Sequence, residues 1–151
     1  METVLKGRNT IMKIDTAYLE RCIVTLDKAQ TLLKQSDPEN IDYDMYRSAS
    51  IKEFEIILEQ SGKLLRKALK PFFHSSVAVD KLIFKDVFRQ AVLRNIITVE
   101  ACERWLQYRD NRNSTAHDYG VNFAEETIVL LPQFIVDAAN LAEAIKKLNN
   151  D

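Results

Sequence analysis

The sequence predicts an all-α fold, an antiparallel up-and-down bundle of about five helices, and three observations predict it. Apolar residues recur at spacings of three and four along most of the chain, as in helices that bury one face. Three glycines and three prolines in 151 residues are too few for the chain reversals that strand-rich folds need. The turn-forming clusters that do occur are short and polar, which suits antiparallel neighbours.

A chain of this length fits one core, and residues 12–151 read as a single domain. Residues 1–11 carry no clear period ahead of Met12 and are set apart as an N-terminal extension. From Asp15 to Gln35 the residues Leu19, Cys22, Ile23, Leu26, Ala29 or Gln30, and Leu33 form the apolar stripe of the first helix. The cluster "SDPEN", Ser36 to Asn40, makes an interhelical turn. A long second helix covers about Asp42 to Lys70, with Phe54, Ile57, Leu58, Leu64, Leu65, Ala68 and Leu69 on its stripe. Its acidic middle (Glu53, Glu55, Glu59) and basic last turns (Lys63, Arg66, Lys67, Lys70) complement a helix dipole. Pro71 and "HSS" break the pattern, and His74 is a loop residue with no ligand at metal spacing around it.

Asp80 then caps a third helix through about Arg94 that buries Phe84, Val87, Phe88, Ala91 and Val92. Thr98 is the N-cap of a fourth, whose face is Val99, Cys102, Trp105 and Leu106. After Gly120, Asn122 and Glu125 have capping-box spacing. Leu131, Phe134, Ile135, Ala138, Leu141, Ala142, Ile145 and Leu148 trace a terminal helix that Pro132 kinks or truly begins.

A net charge of −1 argues against a protein that coats nucleic acid through a global basic field, and leaves a local basic site open. Cys22 and Cys102 are too sparse for a disulfide framework, and no secretory segment opens the chain, so the cytoplasm is the expected compartment. No apolar run of about 20 residues is evident, and a membrane-integral protein is not expected. There is no phosphate loop, zinc motif, calcium loop or nucleophile elbow, and no RNA-binding module signature. Neither a metal nor a cofactor is expected. The Gly-Ser and Asp-x-Asp elements of a nucleotidyltransferase are missing too.

One stretch stands apart. "YRDNRNSTAHDYG", Tyr108 to Gly120, concentrates arginines, a histidine and two tyrosines. Histidine can exchange a proton near neutrality, as a general base or acid must. Arginine offers a permanently charged planar fork to a phosphate. Together they suffice in principle for metal-free RNA cleavage: His117 deprotonates a ribose 2′-hydroxyl and Arg112 stabilises the pentacovalent oxyanion. Five steps along an ideal helix separate the two residues by roughly 140°. Either the helix ends near Asn113 and Ser114, turning His117 back, or a second copy completes the site across a two-fold interface. Spacing alone favours a polar helix end, with Arg112 paired to Asp110 or Asp118 and His117 near the last carbonyls.

The string "RNSTAHDY" resembles the R-x4-H-x-Y pattern of the HEPN superfamily, with Asn113 as the polar residue after the arginine. "DTAYLERCIVTLDKAQTLL", "FKDVFRQAVLRNIITVEACERWLQYRDNRNSTAHDYG" and "AEETI" are similar to its nucleotidyltransferase substrate-binding, HepT-like branch, over most of Asp15 to Leu148. The resemblance implies a helical bundle, a homodimer, and a separately encoded minimal nucleotidyltransferase as partner. It implies one of two functions. The first is a type VII-like toxin, a metal-independent endoribonuclease with Arg112 and His117 as catalytic residues and Asn113 and Asp118 supporting them. Its partner would neutralise it by adenylylating Tyr119. The second is a non-catalytic subunit that binds substrate for the transferase.

Overall fold

The end groups of each helix show why the chain divides where it does. The computed structural model describes residues 13–115 and 121–150; the extension assigned to residues 1–11 lies outside them. Among the described residues there are α1 (Ala17–Gln35), α2 (Ile41–Leu69), a 3-10 turn (Lys70–Phe72), α3 (Ser76–Asp80), α4 (Phe84–Leu93), α5 (Val99–Thr115) and α6 (Val121–Asn150), with no strand. The orphan N–H groups of a first turn need acceptors. The Ala17 N–H donates to Asp15 Oδ1 at 2.9 Å, Asp42 N–H to Asn40 Oδ1 at 2.9 Å, Ala78 N–H to Ser75 Oγ at 3.1 Å, and Ala101 N–H to the expected cap Thr98 at 3.1 Å.

Three boundaries differ from the sequence reading. Asp80 closes α3 instead of capping the following helix. Ser75 offers its hydroxyl earlier, and the Leu82 carbonyl is turned aside to accept from the Arg66 guanidinium, so α4 starts only at Phe84. Asn122 is not a cap, because α6 is already helical from Val121. Glu125 reaches across to α2, accepting from Tyr43 Oη at 3.0 Å and pairing with Arg47 at 3.4 Å. Pro132 lies inside a continuous α6 and on its exposed face, where solvent can serve the carbonyl that the proline ring leaves unbonded. His74 is in the bend ahead of α3, as expected.

Contacts fix the helix directions. Glu20 with Lys146 sets α1 antiparallel to α6. Asn111 with Thr127 and Arg104 with Asp137 do the same for α5 and α6. Tyr43 with Glu125 and Phe54 with Phe134 make α2 parallel to α6. The long helices therefore alternate up and down in chain order, while α3 and α4 occupy the crossover from α2 to α5. One contiguous core joins them. Its centre is aromatic: Phe54 and Phe134 centroids are 4.6 Å apart, Tyr108 and Phe134 4.9 Å, Phe88 and Trp105 5.0 Å. Offset and edge-on rings at such distances add to simple area burial. Gly62 lets α4 approach α2, since a Cβ there would lie 3.2 Å from two Phe84 ring carbons.

Contrary to the sequence reading, Ala124–Asn149 within α6 is long and apolar enough to cross a membrane. Its inner face of Leu131, Phe134, Ala138, Leu141 and Ile145 is packed in the core, and Asp137 on that face is ion-paired. It is a core helix of the bundle with its other side exposed.

Candidate functional site

The last three turns of α5 distribute their side chains among three neighbours. Towards α6, Arg104 donates twice to the Asp137 carboxylate, both at 2.8 Å, Tyr108 Oη donates to Asp137 Oδ2 at 2.6 Å, and Gln133 donates at 3.2 Å. One turn on, Asn111 Nδ2 donates to Thr127 Oγ1 at 3.0 Å. Towards α4, the Arg109 guanidinium lies over the Phe84 ring at 4.9 Å and Lys85 pairs with Asp110 at 2.8 Å. Towards α2, Arg112 Nε pairs with Glu55 Oε2 at 3.4 Å. Helical periodicity alone sorts these contacts, because residues three and four apart share a face.

Among the described residues Asp137 is the most deeply placed charge. Burial pushes its carboxyl up, but the hydrogen bonds from Arg104, Tyr108 and Gln133 outweigh it and hold the group below the usual carboxylate range. The same contact raises Arg104, and burial followed by the Asp137 bond raises Tyr108. Tyr108 and Arg109 are thus packing and bracing residues. Burial also pushes up the thiols of Cys22 and Cys102, which makes them poor nucleophiles. Among the described residues no three His, Cys, Asp or Glu side chains converge as a metal site.

Of the predicted site residues, Arg112 is half-buried in the last turn of α5 and Asn113 is exposed beside it. The helix runs past Asn113 and Ser114 to Thr115. His117, Asp118 and Tyr119 lie outside the described residues.

Residues 15–147 match the family described as nucleotidyltransferase substrate binding protein like. The chain belongs to that family. A curated Haemophilus influenzae protein named "Probable ribonuclease HepT" is 25% identical over 143 residues, covering 91% of this chain and 95% of its own. A solved structure from the same organism, described as revealing the fold of a substrate-binding domain of a nucleotidyltransferase, matches with a TM-score of 0.74 and 22% identity. It covers 87% of this chain and 99% of that one. The bundle is the fold of this substrate-binding-protein-like family.

In this family member, sequence reasoning passed over three acidic residues whose partners lie on other helices. Glu55 was absorbed into an acidic segment explained by the helix dipole. Glu125 was assigned to a cap. Asp137 had a usable signal: it is a lone acid between Phe134 and Ala138 on an otherwise apolar stripe, and a buried charge requires partners.

Proposed function

We propose that the chain is the toxin subunit of a type VII-like toxin–antitoxin pair, a metal-independent endoribonuclease neutralised by a separately encoded minimal nucleotidyltransferase. The observation that carries this is the R-x4-H-x-Y pattern at the junction of α5 and α6, in a chain similar along most of its length to the protein named "Probable ribonuclease HepT". Arg112 binds the scissile phosphate and stabilises the charge that builds on it. His117 exchanges the proton that the reaction needs. Asn113 and Asp118 support the pair, and adenylylation of Tyr119 sets bulky negative charge in the phosphate path. Two copies assemble as a dimer through the outward stripe of α6, where Val129, Pro132, Val136 and Ala139 are exposed at the alternating three and four spacing of a helix-pairing seam.

The test is cleavage of labelled RNA by the purified chain in chelator. Wild type is expected to cut, and Arg112→Ala and His117→Ala each to lose roughly 10²- to 10³-fold in rate. An inert wild type, or variants that cut equally well, would overturn the reading.

The family description and the solved fold favour a second reading, a non-catalytic subunit that binds substrate for the transferase. Incubation with the transferase and ATP separates the two. The toxin reading expects an adenylate-sized mass gain that Tyr119→Phe abolishes; the second expects no gain and faster modification of some other substrate.

A further inference from the structure

The ribonuclease reading leaves one chemical role unfilled. Cleavage by a ribose 2′-hydroxyl needs a base at the attacking oxygen and an acid at the leaving oxygen, at opposite ends of the phosphorus, and one imidazole cannot serve both at once. The motif supplies one such group.

The fold brings up another from α2. Glu55 Oε2 is 3.4 Å from Arg112 Nε, and the two side chains keep 40% and 36% of their surface open, so a substrate can reach both. Their backbones are held by neighbouring anchors. Phe54, fully buried, meets the Tyr108 ring edge-on at 6.4 Å, and Arg112 stands one helical turn beyond Tyr108. The carboxylate and the guanidinium are therefore presented side by side by the same piece of core. A phosphate on the Arg112 fork carries its own ribose with it, and the 2′-hydroxyl is on the carbon adjacent to the phosphate-bearing 3′-oxygen. Glu55 is the carboxylate beside that fork, 3.4 Å from Arg112 Nε. An ionised carboxylate can only accept a proton, so its chemistry fits the attacking end.

We propose that Glu55 is the general base of this site, an inference that rests on the ribonuclease reading. A Glu55 oxygen takes the 2′-hydroxyl proton, the freed electron pair forms the 2′-oxygen to phosphorus bond, and the phosphorus to 5′-oxygen bond breaks with its pair. The leaving oxygen takes a proton from His117, which on this assignment is the acid. The products are a 2′,3′-cyclic phosphate and a 5′-hydroxyl, and proton transfer from Glu55 to His117 through solvent resets the site. No metal, oxidant or net water is consumed.

Single-turnover cleavage by the full chain tests this with Glu55→Gln and Glu55→Asp. Glu55→Gln is expected to cut about 10²- to 10⁴-fold more slowly, with the same thermal melting point. Its binding to an RNA carrying a 2′-deoxy scissile nucleotide should be equal or tighter, because one negative charge beside the phosphate is gone. Glu55→Asp should recover part of the rate. Parallel losses of rate and binding in Glu55→Gln would mean that Glu55 merely orients Arg112, and wild-type rates in it would remove Glu55 from the reaction; either result overturns the base assignment. A wild-type chain that cuts no RNA overturns the ribonuclease reading itself, and the inference with it.

Discussion

Asp137 illustrates what a single residue decides here. Its carboxylate is almost wholly enclosed, with 1% of the side chain exposed, and every hydrogen-bond donor that holds it comes from α5 or from its own helix. Removing one partner of a buried pair is far more harmful than never having it, since the other is left without its counter-charge. Arg104 is more than a third exposed, which softens that penalty. Asp137→Asn is therefore expected to cost about 2 kcal/mol in urea unfolding, below the 3–5 kcal/mol of a fully buried pair. The sign with pH follows from the depressed carboxyl: the stabilisation is present above the unfolded value of about 3.9 and is lost as pH falls through the lower folded value. Melting curves between pH 6 and pH 2.5 should show wild type losing this increment only at the acid end and Asp137→Asn losing none of it. Sequence reading left Tyr108 off the α5 stripe, although it stands three residues after Trp105, the spacing of a shared face, and is buried against that ring. It missed Asp137 and Glu55 because their meaning lies in partners 29 and 57 positions away, which no local pattern encodes.

Among the elements, helix existence was legible and helix ends were less so. The stripes of α1, α2 and α6 match the buried residues closely, since burial and the 3.6-residue period express one geometry, whereas of the face expected for α5 only Cys102 and Trp105 are buried and Val99 is 55% exposed. Ends are decided by tertiary contacts: the Leu82 carbonyl goes to Arg66 and delays α4, and Glu125 leaves its own backbone for Tyr43 and Arg47. The short α3 escaped notice because five residues carry too little periodicity to register. Thr98 was foreseeable because its cap is purely local, an oxygen three residues from its donor. Most of the motif was legible for a different reason, resemblance to a family pattern, because an arginine and a histidine five apart in sequence carry little physical information alone.

On the scale of the whole molecule, α6 is apolar on both sides. Its inner face is used by the core, whereas Val129 and Val136 on the outer face are 79% and 49% exposed. Solvent contact of that kind along a seam favours self-association. A Val129→Glu, Val136→Glu double variant is expected to run as a monomer by light scattering at micromolar concentration while the parent runs as a dimer, with unchanged helical circular dichroism. A monomeric parent would remove the dimer from the scheme. Burying two carboxylates in the seam supplies the repulsion, and neither position touches the core.

Asn149 closes the described chain on itself: its side chain accepts from the Ile14 N–H and donates to the Ile14 carbonyl, both at 2.8 Å. The first and last described segments are thereby neighbours, and the 30 residues of α6 carry the chain about 45 Å from them to the α5–α6 junction. A fluorophore, affinity tag or surface tether joined near Asn149 would stand well clear of the α5–α6 junction. The same adjacency makes the described bundle a candidate for circular permutation, with a short linker joining residues near Asn149 to residues near Ile14.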